Sequence, residues 1–383
     1  MTTFTDVIPL AKQILKKYDL CDNCLGRLFS KQLRLSSNKL LGKKIHKNLK
    51  SSSTKCYICK NLLSNLKFYV NLMEDYSSKY EYSTMLVGAI IKPSIIDRDD
   101  LIKSKFKIRG IDSVKTDITK ELAHQFTRKN RKIIDFMDPD LTFTINFKDE
   151  SCIVRSKHLF FQGRYTKPTR GLPQKQKPCH NCKGKGCRIC NLHGIEKFES
   201  VEGKISKYLF SKFGGTTAKF TWLGGEDKSS LVLGTGRPFF VKLLNPQNRN
   251  VRMPKKINLS PMTLLHFKQI KESPKKLPKF TSLIEMNIHS ESDIDSKNLK
   301  KIKSISNNPV VVYEKSGRRT EKEIFDIKYK KKSKNDVVIT IHAEGGLPVK
   351  RFVESDDVVP GISSILDVNC HCTYFDFHDV CLK

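Results

Sequence analysis

Two pairs of cysteines near the start of the chain have the spacing of a metal site. Cys21 and Cys24 form one CxxC pair, and Cys56 and Cys59 form a second after 31 intervening residues. Four thiolates arranged as two such pairs can surround Zn²⁺ tetrahedrally, because each pair folds back so that both sulfurs face one point. This spacing is more typical of a metal site than of two chance pairs. We therefore predict a structural zinc site formed by these four cysteines.

A second, shorter cysteine set lies in a segment that also contains glycines. Its members are Cys179, Cys182, Cys187 and Cys190. Two interpretations remain open: a loop tightened by zinc, which glycines permit by letting the chain wrap a metal, and a reduced loop without metal. Near the C-terminus, Cys370, Cys372 and Cys381 are interpreted as buried or incidental thiols rather than as a third metal site.

The candidate catalytic group is the carboxylate of Asp227, on a tight turn between two apolar segments. Arg237 follows ten residues later, in a loop flanked by glycines. If the two segments pair as strands, the guanidinium lies beside the carboxylate, lowers its pKa and keeps it ionised, as a nucleophile requires. Taken alone, the residues around Asp227 are more typical of a polar hairpin turn. The glycines before Arg237 are no dinucleotide-binding motif, because no third glycine opens a following helix.

The charge of the chain indicates a polyanionic partner. Among 383 residues, 71 lysines and arginines face 39 acidic residues, a net charge of +32. This excess points to nucleic acid rather than to acidic small molecules, although a generally lysine-rich proteome would explain part of it. No apolar run reaches about 18 residues, so we expect no membrane span. Eight of the twelve cysteines lie in CxxC pairs, which favours metal ligation in a reducing cytoplasm over disulfides.

The predicted elements form an N-terminal α/β part and a C-terminal α+β part. Residues 1–20 are interpreted as an amphipathic helix rather than a signal peptide, because lysines interrupt every apolar stretch. Residues 163–174 are interpreted as a basic connector, and 297–303 and 318–334 as solvated lysine-rich loops or helix faces. Periodicity and turn residues predict helices over 117–131 and 200–213, and strands over 85–91, 141–147, 152–161, 218–222, 238–244, 282–288, 310–313, 337–342 and 374–377.

The segment around Asp227 resembles the catalytic motif of the archaeal and eukaryotic tRNA pseudouridine synthase family that acts at positions 54 and 55 of the T-loop. The matching residues are Gly224-Gly-Glu-Asp227 and Leu233-Gly-Thr-Gly-Arg237-Pro-Phe239. Both cysteine sets, the 163–174 segment and the Glu344-Gly-Gly-Leu347 motif with Lys350 are also similar to features of that family. The resemblance therefore spans nearly the whole chain.

This resemblance implies an isomerase that needs no organic cofactor and uses Asp227 as its nucleophile. The uridine is flipped out of its loop, the N1–C1′ bond is cut, and the base is turned and rejoined through C5. Lys350 or Arg237 would stabilise the developing negative charge. Phe280 stands where the family stacks the base on a tyrosine. Pro348 also replaces a family tyrosine, and Gly225 and Leu231 replace family arginines, so the enzyme is expected to be active but divergent.

The same resemblance implies an α+β protein that docks tRNA at its T-loop and T-arm. Residues 1–62 are assigned to an N-terminal helix and zinc-knuckle segment, 63–165 to a THUMP-type RNA-binding domain, and 166–383 to a mixed-sheet catalytic domain with a cysteine-rich loop at 175–195. The basic residues of that loop are expected to contact the RNA backbone near the active site. Neither a membrane nor an obligatory protein partner is expected.

Two other functions compete with this interpretation. The departures from the family pattern are compatible with a catalytically degenerate tRNA-binding or folding protein. A methyltransferase or thiolase that also carries a THUMP domain is less compatible, because the chain lacks a convincing glycine-rich cofactor loop or a Ser-Gly-Gly-containing ATP pyrophosphatase loop.

Overall fold

The structure is a computed structural model that describes residues 3–35, 37–314 and 316–383. The chain forms two compact units, one up to Lys157 and the other from His158 to Lys383. Both combine helices with sheets, so the predicted α+β class is confirmed. The first two residues of the predicted N-terminal helix lie outside the described residues, and the division at residue 62 stays a prediction. Among the described residues, none of the helices has the length and apolar composition needed to span a bilayer.

The first unit packs helices against a four-stranded sheet. Its helices are α1 (Phe4–Leu15), α2 (Asp22–Ser30), α3 (Asn38–Asn48), α4 (Leu66–Ser77), α5 (Pro93–Lys105) and α6 (Val114–Asn130), with a short 3-10 helix at Leu62–Ser64. Its strands are β1 (Thr84–Ile90), β2 (Ile133–Ile134), β3 (Leu141–Asn146) and β4 (Ser151–Ser156). The order is β2-β1-β3-β4, with β1 parallel to both neighbours and β4 antiparallel to β3. Alternate residues Leu141, Phe143 and Ile145 of β3 are fully buried, as the period of two predicted.

The second unit is built around one large mixed sheet. Its strands are β5 (Leu159–Lys167), β6 (Thr217–Trp222), β7 (Val232–Leu244), β8 (Lys256–Leu259), β9 (Met262–Ile270), β10 (Phe280–Ser290), β11 (Pro309–Tyr313), β12 (Arg319–Lys331), β13 (Asp336–Glu344), β14 (Val358–Val359) and β15 (Cys370–Leu382). Its helices are α7 (Val201–Phe213), α8 (Ser296–Lys301), α9 (Val349–Glu354) and α10 (Ile362–Leu366), with a 3-10 turn at Ile302–Ile305. The order is β14-β11-β12-β13-β10-β15-β7-β5-β9-β8, and β6 also pairs with β7.

Helix α7 shows how the sequence specifies its own packing. Val201, Ile205, Leu209 and Phe213 recur every four residues and are fully buried against the sheet. The helix ends at Gly214, whose φ of 68° closes the last turn as the sequence predicted.

Three sequence assignments are wrong in this region. The apolar stretch 152–161 is two strands, β4 and β5, which belong to different units. Residues 163–167 are not a connector but the end of β5, which lies inside the sheet between β7 and β9. The lysine-rich stretch 318–334 contains strand β12 instead of a loop: Ile324 and Ile327, on either side of a bulge, are buried, whereas Lys328, Lys330 and Lys331 are exposed.

Candidate active site

Asp227 lies on the turn that joins β6 to β7. The two strands, both predicted from sequence, pair antiparallel with Trp222 opposite Phe239. The turn begins at Gly224, whose φ is 77°. A Cβ atom there would lie 2.8 Å from an Arg237 nitrogen and 3.2 Å from the Phe280 ring. Backbone conformation and space therefore both require glycine at the start of this turn.

Lys350 provides the counter-charge of Asp227. Its Nζ lies 2.5 Å from Asp227 Oδ2, and the Ser229 amide donates to Asp227 Oδ1 at 3.3 Å. The ion pair lowers the pKa of Asp227 below its usual value, with the Lys350 hydrogen bond as the largest cause, and raises the pKa of Lys350. The carboxylate is therefore ionised at neutral pH. In isolation Lys350 is typical of a surface lysine at the end of a strand, but it stands in the first turn of α9.

Arg237 pairs with Glu226, so its predicted pairing with Asp227 is wrong. Arg237 Nε lies 3.2 Å from Glu226 Oε2, and Nη1 donates to the Leu223 carbonyl at 2.8 Å. The guanidinium also lies 4.0 Å from the centroid of the Phe377 ring. Glu226 and Asp227 are adjacent but face opposite ways: the Glu226 side chain is fully buried beside Arg237, whereas that of Asp227 is 31% exposed.

A cavity of about 740 Å³ opens in front of Asp227. Its volume falls in the range of small-ligand sites. Besides Asp227 and Lys350, its lining includes Pro348 and Gly225, two of the positions that depart from the family pattern, and Phe375. Phe375 was not identified from the sequence. An aromatic residue in the last strand is as typical of the hydrophobic core as of a binding site, so its type and position gave no signal.

Phe280 stands at the start of β10 and borders the same turn from another side. Its half-buried ring packs against Gly224 and Gly345, since a Cβ atom on Gly345 would lie 2.4 Å from it. Its carbonyl accepts from the Gly345 amide at 2.7 Å. Phe280 is not among the described residues that line the cavity around Asp227. A stacking role for its ring therefore stays a prediction.

The first cysteine set converges as its spacing predicted. The four sulfurs lie within 4.8 Å of one another, and Cys21 Sγ is 3.7 Å from Cys59 Sγ. Tetrahedral coordination with metal–sulfur bonds of about 2.3 Å requires sulfur separations of about 3.8 Å. The Asn61 side chain accepts from the Cys56 amide at 2.8 Å and donates to the Thr54 carbonyl at 2.9 Å, which fixes the second pair. The geometry fits a metal ion.

The second cysteine set fits a metal ion equally well. Cys190 Sγ lies 3.8 Å from Cys182 Sγ and 3.7 Å from Cys187 Sγ, and all four sulfurs lie within 4.8 Å. An amide hydrogen bond from Asn181 lowers the pKa of Cys187 to about 6, which favours the thiolate that a metal binds. The backbone amides of Gly186 and Gly194 donate to Cys182 and Cys190, each at 3.2 Å.

The loop that carries this second set is anchored away from Asp227. His193 contacts the Thr216 carbonyl at 2.9 Å, and Thr217 donates to the Leu192 carbonyl at 3.2 Å. Thr217 begins β6, and the Asp227 turn follows the other end of that strand at Trp222. At about 3.3 Å per residue the two ends are about 17 Å apart. The anchor of the cysteine pairs is therefore distant from the active-site turn, although Lys175, at the start of the 175–195 loop, lines the cavity around Asp227. The expected contact of this loop with RNA backbone near the active site stays a prediction. Among the described residues, the C-terminal cysteines form no third cluster.

Comparison with known proteins gives consistent matches over both units. Residues 160–381 match the family described as "Pus10, C-terminal", and residues 69–146 match "Pus10 THUMP domain, archaeal". The chain is 60% identical over 383 residues to a protein of Nitrosopumilus maritimus named tRNA pseudouridine synthase Pus10, a match that covers 100% of each chain. It is 31% identical over 366 residues to a protein of Cenarchaeum symbiosum with the same name, covering 96% of this chain and 90% of that one.

Proposed function

The chain belongs to the Pus10 family of tRNA pseudouridine synthases, and we propose that it isomerises uridine 54, uridine 55 or both in the tRNA T-loop with Asp227 as its nucleophile. The observation that carries this proposal is the ionised Asp227 carboxylate, held 2.5 Å from Lys350 at the edge of a cavity. Its turn carries the residues that resemble the family's catalytic motif.

The proposed reaction rearranges bonds within one nucleotide. The Asp227 carboxylate engages the sugar or the base of a flipped uridine while the N1–C1′ bond breaks. The uracil stays in the cavity, turns, and forms the C5–C1′ bond; C5 then loses a proton and N1 gains one. Negative charge develops on the departing base, and the Lys350 ammonium, 45% exposed at the cavity wall, is placed to stabilise it. Arg237 acts indirectly, because its guanidinium is buried against Glu226.

Both cysteine clusters would hold structural Zn²⁺. Cys21, Cys24, Cys56 and Cys59 would brace the N-terminal unit, and Cys179, Cys182, Cys187 and Cys190 the loop before α7. Each offers four sulfurs, leaving no open position for a catalytic water. The net charge of +32 supports phosphate contacts with tRNA, and the free CxxC thiols support a reducing cytoplasm.

Product mapping on an unmodified tRNA transcript tests the proposed function. Purified protein is incubated with the transcript, and pseudouridine is located by chemical mapping. The expected result is conversion at position 54, 55 or both by the wild type and none by Asp227→Ala. If no T-loop uridine is converted by the wild type, the chain is the tRNA-binding protein that the departures from the family pattern allow.

Phe280 is proposed to stack on the flipped base. Phe280→Tyr keeps the ring and is expected to retain the rate, whereas Phe280→Ala is expected to lower the single-turnover rate about 5- to 100-fold, the range for one lost base–aromatic stack. Single-turnover assays with enzyme in excess measure this, and melting temperatures identify any loss due to misfolding. Equal rates for Phe280 and Phe280→Ala would remove the stacking role.

A further inference from the structure

Lys167 is a fully buried lysine that the proposed mechanism does not use. It is the last residue of β5, and its side chain is 0% exposed. Its Nζ lies 2.8 Å from the Leu172 carbonyl, 3.1 Å from the Asp227 carbonyl and 3.2 Å from Glu226 Oε1. The Leu172 and Asp227 carbonyls each accept one N–H of this ammonium group, and Glu226 Oε1 contributes an ion pair without a hydrogen bond. Lys167 therefore ties the backbone of Asp227 to the interior of the sheet.

The charges around Lys167 do not balance. The Glu226 side chain is fully buried and contacts two buried cations, Lys167 at 3.2 Å and Arg237 at 3.2 Å. Within this buried group one carboxylate faces two cations, which leaves an excess of positive charge; the Asp227 carboxylate also attracts Lys167, but it is 31% exposed and paired with Lys350. Burial is the largest influence on Lys167 and lowers its pKa, although Glu226 opposes that shift. Such an excess lowers stability, and residues kept at the expense of stability are often functional.

The rest of the turn is held in the same way. Five backbone groups from Asp227 to Leu231 have partners outside the turn, and three of those partners come from residues 167–171. The contacts are Lys167 to the Asp227 carbonyl, the Gly171 amide to the Lys228 carbonyl at 2.7 Å, Arg170 to the Ser229 carbonyl, the Leu231 amide to Asp376 Oδ1 at 2.9 Å, and the Phe377 amide to the Leu231 carbonyl at 3.0 Å. Arg170 also holds both oxygens of Asp376, at 2.6 and 2.7 Å.

We propose that Lys167 is a positioning residue for Asp227. Its hydrogen bond to the Asp227 backbone carbonyl fixes the turn, and the fixed turn keeps the Asp227 carboxylate directed into the cavity. This inference rests on the proposed function of Asp227. The segment interpreted from sequence as a basic connector thereby becomes the support of the catalytic turn, and Arg170 is its second, more exposed member. The contribution is geometric, because Lys167 itself is covered by the turn and reaches no substrate.

The test is Lys167→Met, with two independent readouts. The variant keeps the Arg237–Glu226 pair but leaves the Leu172 and Asp227 carbonyls without this donor, so its melting temperature should fall by a few degrees while the protein stays folded at the assay temperature. Its single-turnover rate should fall about 100-fold, the effect of a misplacement of about 1 Å, with the Kd for tRNA unchanged. Hydrogen exchange of the backbone amides 228–231 should become faster. Lys242→Met, on β7 with its Nζ 5.5 Å from the Phe160 ring, is the matched control and should leave all these quantities at wild-type values.

Arg170→Met is the second variant, in case Lys167→Met does not fold. The Arg170 side chain is 37% exposed, so its removal should be tolerated, and it should raise exchange at 229–231 and lower the rate about 10-fold. A folded Lys167→Met protein with wild-type exchange in the turn overturns the proposal, and so does a rate loss that merely reflects unfolding at the assay temperature. If the wild type forms no pseudouridine, the proposed function fails, while the exchange data still decide whether Lys167 holds the turn.

Discussion

Replacing Asp227 with asparagine is expected to abolish pseudouridine formation and to leave tRNA binding intact. The substitution keeps the size of the side chain but removes the negative charge, so it can neither act as a nucleophile nor pair with Lys350 as a carboxylate. Loss of an activated nucleophile costs about 10⁴- to 10⁶-fold in rate. Single-turnover kinetics on an unmodified tRNA transcript measure the rate, and equilibrium binding measures the Kd.

This prediction can be tested cleanly, because the Asp227→Asn variant should fold and because the chain offers a matched control. Asp227 is 31% exposed and carries few structural contacts beyond Lys350 and the Ser229 amide, so the variant should fold. Asp367→Asn is the matched control: it makes the same change on an exposed residue with φ of 57°, a conformation that asparagine tolerates. A variant at 227 that retains a rate within tenfold of the wild type would show that this carboxylate is not the nucleophile.

Cys21→Ser is expected to remove one metal equivalent and to destabilise the N-terminal unit. The other three cysteines of that cluster are buried, so the variant leaves an incomplete thiolate site inside the unit. Structural zinc sites bind with about 10 to 16 kcal/mol in small metal-dependent domains. Whole-domain stabilities are only about 5 to 15 kcal/mol. Loss of the site should therefore unfold much of the unit at ambient temperature.

Elemental analysis and thermal unfolding measure this result. The wild type is expected to contain two zinc equivalents and Cys21→Ser one. Cys187→Ser offers an internal comparison, because it should also lose one equivalent but leave the unfolding of residues 3–157 unchanged. A Cys21→Ser protein that retains both equivalents and its stability would refute the first metal site.

The cysteine clusters could be predicted from sequence alone because their geometry is local. A CxxC pair fixes two sulfurs within one turn, and two pairs leave few arrangements other than convergence. The active site is different. Asp227 and Lys350 are 123 residues apart, so residue patterns alone could not pair them, and only the resemblance to the family brought both into one site.

The errors in the site have a common physical origin. Glu226 and Asp227 are neighbours on a turn, and which of them faces inward depends on the left-handed conformation at Gly224 and on distant partners such as Lys167. The hydrophobic periodicity of the sequence therefore does not predict which of the two side chains is buried. Lys167 falls in the segment interpreted from sequence as a basic connector, and a lysine is rarely fully buried. Its burial is an exception that the Glu226 carboxylate makes possible.

The departures from the family pattern affect the surroundings of Asp227 more than its ion pair with Lys350. A Cβ atom on Gly225 would meet only the Gln174 side chain, at 3.9 Å, so the backbone here does not require glycine on grounds of space. Leu231 uses its backbone amide to contact Asp376, a contact that does not depend on its side chain. Pro348 lines the cavity wall. These positions are therefore expected to influence which uridine enters rather than whether the chemistry occurs.

The most direct test of the central claim is a structure of the Asp227→Asn protein bound to unmodified tRNA. The account predicts that uridine 54 or 55 is flipped out of the T-loop into the cavity beside Lys350. Its C1′ or base carbons should lie within about 3.5 Å of the side chain at position 227, the distance of a reactive contact. A complex in which both uridines stay stacked in their loop and no nucleoside occupies the cavity would contradict the account.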